Sequence, residues 1–578
     1  MLKISEYRMP LLTHRLIPAG PIPTVQKADS CYPYETFCET ARRPELRYYR
    51  FVTLENDRLA VTICPDLGGK VYSLIHKGSG KNVLVTEPIV RPIRILPRQF
   101  YIGGGIEVSF PISHSPVQMV PLCCRVMERD GRIFCCCGER EIKFGMYFTV
   151  EYSLGEKDAF LTQRTQFVNP TGQAHPWMSW SNAGVPARPD TELHYPKGEV
   201  LEHGCELRMI DWEKQGPRTQ SDIPVMTGWF WRKPACNAFG AYTPSLGAGL
   251  YHVADPEQVP GIKLWSDGVG GHMAFVTQWT LSGGQCLEIQ AGPLVDQGVK
   301  NLLQPGQRQC HTEFWIPTDK PLEIELLQVP QVALPPQSEI PLFAYARPEE
   351  TEIWQQVMDA FARNDRGLLP QLPGLDSNCW PPTGLEGLAD ALHWAAGDGN
   401  SGGGWRFYEG VLLGGLERSE EAVETLLKAD DDRGYVLAAR LIRRNRGDYA
   451  AAYDAISRVR CEVLALHPEV VCERDLILEG MGPERLAERE AWMARTAGLA
   501  DEWLIERRAS VLIAKKEFQA AKALLESTPF QLVHQRYVRL PLWEQAQEGL
   551  GLPLDHPLNW MGEDTLAAFG KYQEYEGE

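Results

Sequence analysis

Hydrophobic and polar residues alternate with a period of two along residues 41–330. Short runs such as RYYRFVTLEN, MYFTVEYSL and HMAFVTQWTL show this alternation, and each is bounded by Gly, Pro, Asn or Asp. Continuous helical periodicity is missing from this region. Many short strands in one long region predict a large antiparallel β-sandwich. Residues 1–40 precede it as an N-terminal extension.

The pattern changes beyond this region. Residues 331–405 are rich in Pro and Gly, and we interpret them as a connector that packs on the sandwich, with one helix predicted at 349–363. In residues 406–578 the apolar residues recur with the period of a helix. Segments around Tyr449 and Phe518 resemble each other at an offset of 69 residues, close to twice the tetratricopeptide period of about 34. The predicted fold class is mainly β plus α, with a short α-helical repeat domain after the sandwich.

Charge divides the chain in the same way. The 578 residues carry a net charge of −17. Residues 1–350 have 34 basic and 37 acidic side chains, whereas residues 351–578 have 24 and 38. An acidic chain argues against a general nucleic-acid binder, which needs basic surface, and against an anionic membrane as partner. The acidic helical part is interpreted as a solvated face, and docking of another protein or of a second copy there stays open.

The N-terminal residues and the apolar runs predict a cytoplasmic protein. The first residues, MLKISEYRMPLLTHRLIP, contain neither the apolar run nor the cleavage site of a secretory signal. No stretch of 18 or more apolar residues predicts a transmembrane helix.

Fifteen cysteines in a chain without a leader are expected to be mostly reduced thiols. The clusters Cys123-Cys124 and Cys135-Cys136-Cys137 lack the two-residue gap that lets two thiolates reach one zinc ion. We interpret them as small apolar residues on two strands joined by a turn at Asp130-Gly131. Neither a metal nor another cofactor is expected.

Aromatic residues point to a carbohydrate. Half of the 16 tryptophans lie between Trp177 and Trp315. Trp180 and Trp265 sit beside turn residues and polar groups, and aromatic faces stack on the C–H faces of sugar rings. Core packing is the alternative for any one of them.

Two segments carry ionisable residues in a setting typical of sites. In GGGIEVSFPISH, the glycines allow close backbone approach, and Glu107 and His114 follow them. In GQCLEIQAGPLVD, Cys286, Glu288 and Gln290 share one face of a strand whose other face is apolar. Glu288 is therefore expected to point into a cavity together with Gln290. The alternatives are a surface Glu107, a loop His114 and a solvated outer face at Glu288.

The sequence CLEIQAGPLVD resembles the strand that carries the catalytic carboxylate in the galactose mutarotase (aldose 1-epimerase) superfamily. PDLGGKVYSL and WMSWSNAG resemble other segments of that superfamily in the expected order. The whole order of motifs resembles more closely its DUF5107 branch, which has tetratricopeptide-like helices after the sandwich. The resemblance covers residues 40–330 and the helical tail. It implies a galactose mutarotase-like β-supersandwich.

The resemblance also implies a catalytic role for Glu288. In mutarotases a glutamate acts as base on the anomeric hydroxyl group and a histidine acts as acid on the ring oxygen. Here Ala183 stands where that histidine is expected, and His175 lies earlier in the chain. The departure argues against simple anomer interconversion, because each such group contributes roughly 10²–10⁴ to the rate.

Paired carboxylates suit glycoside hydrolysis, so Glu288 and Glu107 are predicted as the catalytic pair of a hydrolase acting on a small oligosaccharide or glycoside. Their acid and base roles stay open. One alternative is an aldose 1-epimerase in which His114 or His252 replaces the missing acid. Another is a non-enzymatic sugar-binding protein whose helical repeats dock a partner. The predicted substrate-binding residues are His114, Trp180, Arg188, His252, Lys263, Trp265, Asp267 and Gln290.

Overall fold

The computed structural model divides the chain into two compact units. One comprises Met1–Ile17, Glu39–Arg94 and Gln99–Pro348, and the other comprises Pro18–Cys38, Ile95–Arg98 and Glu349–Glu578. The described residues are 1–18, 22–23, 25, 32–34, 37–41, 43–86, 88–96, 99–112, 114–203, 207–224, 227–266, 268–269, 286–296, 298–374, 377, 379–397, 403–499, 501–528 and 536–554.

Strands dominate the first unit. They are β1 Lys3–Thr13, β2 Leu16–Pro18, β3 Phe37–Thr40, β4 Glu45–Glu55, β5 Leu59–Cys64, β6 Lys70–His76, β7 Lys81–Asn82, β8 Ile89–Val90, β9 Ile93–Leu96, β10 Gln99–Tyr101, β11 Gly105–Val108, β12 Cys123–Arg129, β13 Arg132–Arg140, β14 Tyr147–Gly155, β15 Leu161–Val168, β16 His175–Trp177, β17 Ser181–Pro186, β18 Glu192–His194, β19 Gly198–His203, β20 Leu207–Asp211, β21 Thr227–Pro234, β22 Ala238–Thr243, β23 Ala248–Ala254, β24 Gly261–Ser266, β25 Cys286–Gly292, β26 Asn301–Leu303 and β27 Arg308–Thr318. A short helix, α1, spans Trp212–Gln215.

Two large sheets form the predicted β-sandwich. The first sheet has the order β20-β19-β21-β24-β25-β17-β11-β6-β5-β4-β1-β8, and β7 pairs with β6. The second sheet has the order β12-β13-β14-β15-β27-β23-β22-β18. Side chains of the two sheets meet between them: Gln163 of the second sheet donates to Ser181 of the first, and Phe110 stacks on Phe167. The β-sandwich that the alternating pattern predicts is confirmed.

The N-terminal residues belong to the sandwich. β1 pairs with β4 along its whole length, from Lys3 opposite Glu55 to Thr13 opposite Glu45. Most of its side chains are exposed or half-buried, which is typical of a strand with one solvated face.

The Pro-rich segment after β27 lies on the second sheet. Ile324 packs in an apolar cluster with Tyr251 and Phe314, and the Pro341 carbonyl oxygen accepts a hydrogen bond from Thr149. Residues 319–347 thus cover a face of this sheet, whereas the rest of the predicted connector 331–405, from Glu349 on, belongs to the helical unit.

Helices make up the second unit. They are α2 Glu352–Ala362, α3 Leu388–Ala396, α4 Gly403–Gly415, α5 Ser419–Lys428, α6 Asp432–Arg446, α7 Tyr449–Ile456, α8 Glu462–Ala465, α9 Pro468–Met481, α10 Leu486–Arg495, α11 Glu502–Ala514, α12 Phe518–Ser527 and α13 Arg536–Gly549. None of the described helices is both long and apolar enough to cross a membrane.

The two helical segments that resemble each other in sequence are helix pairs, α6–α7 and α11–α12. The residues between the paired helices include Gly447 and Lys516, which both have a φ of 63°. Ala452 and Ala521 are fully buried at the equivalent positions of the second helices. The predicted helical repeat is therefore present in this unit.

Candidate functional site

The candidate site is built on the face of the first sheet that points away from the second sheet, which we call the site face. Strand pairing places Glu107 of β11 opposite Asn182 of β17, Asn182 opposite Gln290 of β25, and Gln290 opposite Lys263 of β24. Paired residues of antiparallel strands share a face. Four polar side chains from four strands therefore form one row, which we call the polar row, and all of them are buried.

Glu288 lies in the next row of the same face. It is opposite Gly184 on one side and Trp265 on the other, and Gly184 is opposite Gly105. A Cβ atom on Gly184 would lie 2.6 Å from the Cα atom of Gly104, so only glycine fits there. Gly105 has a φ of 65°, a conformation that favours glycine. The glycines thus let the backbone around Gly104 pack closely on β17 beside Glu288, and the predicted close approach of this backbone to a ligand stays a prediction.

Tyr101, at the end of β10, holds the Glu288 carboxylate. Its hydroxyl group donates to Oε1 at 2.6 Å, and the side-chain amide of Gln290 donates to Oε2 at 3.0 Å. Burial, and then the charge of Glu288, raise the pKa of Tyr101 well above its ordinary value. Tyr101 therefore remains a donor to this carboxylate at physiological pH.

Glu107 is held by three donors from the loop that follows β11. The backbone N–H of Ser115 and the amide of Gln118 donate to Oε1 at 2.7 and 2.9 Å, and Nδ1 of His114 lies 3.3 Å from Oε2. His114 adopts a φ of 51°, and its ring packs on Tyr101 with centroids 4.7 Å apart. His114 and Tyr101 together thus connect the two carboxylates.

The two carboxylates are not direct neighbours. β17 separates their strands, and Glu288 lies two residues along β25 from Gln290, which is in line with Glu107. Strand geometry gives a Cα–Cα separation of about 12 Å for this arrangement. Two glutamate side chains that reach from one face can therefore act on opposite sides of one small molecule.

Lys70 of β6 closes the polar row beside Glu107. Ile106 of β11 is opposite Val71, so the next residues, Glu107 and Lys70, also face each other across the two strands. Lys70 is buried and donates to the Ile102 carbonyl oxygen at 2.6 Å. Burial lowers the pKa of this amine to about 8, although the charges of both glutamates oppose the shift. An amine with a pKa close to neutral pH is suited to accept or donate a proton in catalysis.

Aromatic rings flank the polar row at its other end. The Lys263 ammonium group lies 5.0 Å from the ring centroid of Phe230, and Trp180 packs edge-on against the same ring at 6.1 Å. The Trp180 indole N–H and the Asn182 amide oxygen are buried without a hydrogen-bond partner among the described residues. Buried polar atoms normally have partners, so these two atoms have hydrogen-bonding capacity that the described residues do not use.

Of the residues predicted from the sequence, Glu107, His114, Trp180, Lys263, Trp265, Glu288 and Gln290 come together here. His252 is not among them. It lies between the sheets, stacks on Phe239 and hydrogen-bonds to the buried Glu313 at 3.2 Å. Arg188 is exposed in the turn after β17, where its N–H donates to Thr191.

Asp267 lies outside the described residues. His175 lies on β16, in a small sheet separate from the site face, and hydrogen-bonds to Thr171 in the preceding turn at 2.8 Å. Ala183 points between the sheets, opposite Ile106 and Ile289.

Sequence reasoning missed Lys70, Tyr101, Gln118 and Asn182. A signal existed for Asn182, which occupies the same segment as the predicted Trp180. Lys70 and Tyr101 gave none, because their place in the site depends on pairing between distant strands.

The Glu288 carboxylate accepts two hydrogen bonds from described residues and the Glu107 carboxylate is held by three. Among the described residues, the group of three ligand side chains close enough to hold one ion is Cys124, Cys135 and Cys137 in the second sheet.

A β-sandwich with a polar site on one sheet and a helical repeat after it defines the class of this protein. The chain belongs to the DUF5107 family, a domain of unknown function, whose model matches residues 26–318. This confirms the family predicted from the motifs. A second family model, for a C-terminal domain, matches residues 354–546.

Solved structures resemble the chain to different extents. A TPR-domain-containing protein from Parabacteroides distasonis ATCC 8503 is 46% identical, with 98% of each chain covered and a TM-score of 0.93. A galactose mutarotase-like protein from Clostridium acetobutylicum is 12% identical, with 46% of this chain and 95% of that chain covered and a TM-score of 0.36. Another, from Lactobacillus casei ATCC 334, is 11% identical, with 46% and 99% covered and a TM-score of 0.35. The two lower scores establish no activity for this chain.

Proposed function

We propose that this protein is a cytoplasmic carbohydrate-active enzyme that interconverts the anomers of a small sugar, as an aldose 1-epimerase does. The observation that carries the proposal is that the site face holds a buried carboxylate, Glu288, and a histidine, His114, which a second carboxylate, Glu107, orients. Opening of a sugar ring requires one group that accepts a proton and one that donates a proton. These residues supply both.

Glu288 is the base in this proposal. Its carboxylate accepts the proton of the anomeric O1–H group while the C1–O5 bond breaks, and O5 takes a proton from the acid. The product is the open-chain aldehyde, and rotation about C1–C2 followed by the reverse steps closes the other anomer. No net proton is gained or lost. Tyr101 and Gln290 fix the carboxylate by their hydrogen bonds, which favours one productive orientation.

His114 is the acid in this proposal. The missing histidine at position 183 left His114 and His252 as replacements, and His252 is held between the sheets by Glu313. Glu107 next to Nδ1 holds the His114 ring and leaves Nε2 pointing away from that carboxylate. Trp180 and Trp265 supply ring faces for stacking on the sugar.

Polarimetry on freshly dissolved α-glucose and α-galactose tests the proposal. The protein should accelerate mutarotation of one of them above the rate in buffer. Glu288→Gln and His114→Asn should each lower the rate by at least about 100-fold. His175→Asn is the matched control, because His175 lies on a separate sheet, where it hydrogen-bonds to Thr171, and its loss should leave the rate unchanged. Full activity in His114→Asn would contradict the assignment of the acid.

Glycoside hydrolysis is the second candidate, and one observation favours it. Glu107 and Glu288 are both buried on one face and come from strands separated by a single strand. Inverting glycosidases place their two carboxyl groups about 6.5–9.5 Å apart, which suits a pair on opposite sides of a small molecule. In this mechanism one carboxyl group protonates the leaving oxygen and the other activates a water molecule.

Glu107→Gln distinguishes the two candidates. A hydrolase that uses both carboxyl groups should release reducing sugar from a panel of nitrophenyl glycosides and lose that activity almost completely in Glu107→Gln. An epimerase should be weakened less by Glu107→Gln than by His114→Asn, since Glu107 acts there through the histidine. Sugar binding by calorimetry without turnover in either assay would contradict both proposals.

A further inference from the structure

A cluster of three thiols lies in the second sheet, on strands β12 and β13. Cys124 is directly opposite Cys137 across the two strands, and Cys135 is two residues from Cys137 on the same face. The Sγ atoms of Cys124 and Cys135 are 3.7 Å apart, those of Cys135 and Cys137 are 4.0 Å apart, and all three lie within 4.8 Å of one another. The hairpin turn at Asp130-Gly131, with φ angles of 49° and 71°, sets this register.

The arrangement depends on pairing across strands. Zinc ligands within one chain segment are usually separated by two residues. This cluster instead takes one thiol from β12 and two from alternate positions of β13. Cys136 lies between them in sequence but on the opposite face, where its Sγ atom is 3.8 Å from the Glu151 carboxylate. The hairpin of β12 and β13 thus presents three thiols on one face and places Cys123 and Cys136 on the other.

The separations match those between thiolate ligands of one metal ion. A zinc–sulfur bond of about 2.3 Å in tetrahedral geometry places two sulfur atoms about 3.8 Å apart, and a trigonal site places them about 4.0 Å apart. Cys135 and Cys137 are fully buried and Cys124 is half-buried, so an ion could enter from the side of Cys124. Arg50 of the first sheet is close enough to interact electrostatically with Cys124 and Cys135, and its positive charge offsets part of the negative charge of three thiolates.

We propose that Cys124, Cys135 and Cys137 bind one thiophilic d¹⁰ metal ion, Zn²⁺ or Cu⁺, with a small molecule such as water in any remaining position. Thiolate is the ligand that these ions prefer. The site is on a different sheet from the candidate active site and is independent of the proposed enzymatic function. It would join β12, the edge strand of the second sheet, to β13 through metal–sulfur bonds.

Metal binding by the full-length protein tests the proposal. Protein that has been reduced and stripped with a chelator under anaerobic conditions is mixed with Zn²⁺ or Cu⁺, passed through a desalting column and analysed by plasma mass spectrometry. We expect about one ion per chain to be retained. Co²⁺ in place of Zn²⁺ should give thiolate-to-cobalt charge-transfer absorption. Retention of one of the two ions only would identify the metal.

Cys124→Ser is the main variant, because Cys124 is the least buried of the three. Its affinity for the ion should fall by at least about 100-fold, since one of the three ligand bonds is lost. Cys136→Ser is the matched control on the opposite face of β13 and should retain the ion and the cobalt absorption. Circular dichroism establishes that both variants are folded. The cobalt spectrum of the wild-type protein tests the proposal even if a variant does not fold.

Two results would overturn the proposal. The first is a fully reduced protein, by thiol titration, that retains neither ion and gives no cobalt charge-transfer band. The second is equal loss of metal in Cys124→Ser and Cys136→Ser, which would place the ion elsewhere.

Discussion

We expect the buried side chain of Lys70 to make the free energy of unfolding depend on pH. One substitution should remove this dependence. The side chain is only 4% exposed, its ammonium group donates to the Ile102 carbonyl oxygen, and it faces Glu107 across two strands. Burial lowers its pKa from 10.5 to about 8. The perturbation is Lys70→Met, which keeps most of the length of the side chain and removes the titrating group.

The direction in which the free energy of unfolding changes with pH follows from proton binding. Between pH 8 and 10.5 the folded protein has released the Lys70 proton, whereas the unfolded chain still binds it. The free energy of unfolding therefore rises with pH in this window. The lowering of the Lys70 pKa corresponds to about 3 kcal/mol, by which the buried charge destabilises the folded protein below pH 8. The unfolding free energy of the wild type relative to Lys70→Met should rise by that amount across the window.

Urea unfolding followed by tryptophan fluorescence, from about pH 7 to 10.5, measures this difference. Lys81→Met is the control, because Lys81 is exposed on β7 of the same sheet and its removal should leave the pH dependence of the wild type intact. A difference between wild type and Lys70→Met that does not change with pH would refute the reasoning, because it would mean that the buried amine keeps its ordinary pKa.

Four further substitutions test the framework around the sites. Gly105→Ala should lower the unfolding free energy by at least about 2 kcal/mol in urea, because φ is 65° and a Cβ atom would lie 2.4 Å from a carbonyl oxygen. Gly80→Ala, with φ of 70° and nothing within 4 Å, should cost only about 1–2 kcal/mol. Burial opposes ionisation of Glu313, but two histidines lower its pKa to about 2. Glu313→Gln should therefore lower the free energy of unfolding by about 3 kcal/mol at neutral pH, and by less as the pH falls from 4.5 to 2. Calorimetry measures this difference. Arg489→Met should cost about 3–5 kcal/mol in thermal unfolding, because it leaves the fully buried Asp475 without one of its two arginine partners.

The fold followed from local patterns where those patterns were strong. Period-two alternation identified the sandwich, and the Asp130-Gly131 dipeptide identified the hairpin of β12 and β13. The N-terminal strand was missed because most of its side chains are exposed or half-buried, so KISEYRMPLLT carries a weak alternation. Helix α2 was predicted at 349–363 and is found at Glu352–Ala362, a difference at the ends only.

The site was predictable only in part. Glu288 and Gln290 share a face because they are two residues apart on one strand, a relation that sequence displays directly. Tyr101 and Lys70 enter the site through pairing of strands that are far apart in the chain, a relation that one sequence does not display. His252 was expected at the sugar and instead bonds to Glu313, because a polar residue in a strand looks the same whether it faces a ligand or a buried carboxylate.

The position of Ala183 explains why the histidine expected from the family pattern is missing. β17 directs Ser181 towards the buried Glu313 and Asn182 towards the polar row, so residue 183 must point between the sheets again. A histidine there would meet Ile106 and Ile289 and could not reach a sugar. The acid of the proposed reaction must then come from outside β17, and in our proposal it is His114 on the loop after β11. Adding Ala183→His to His114→Asn should therefore restore no mutarotase activity and should lower stability, and a recovered rate would show that this register is wrong.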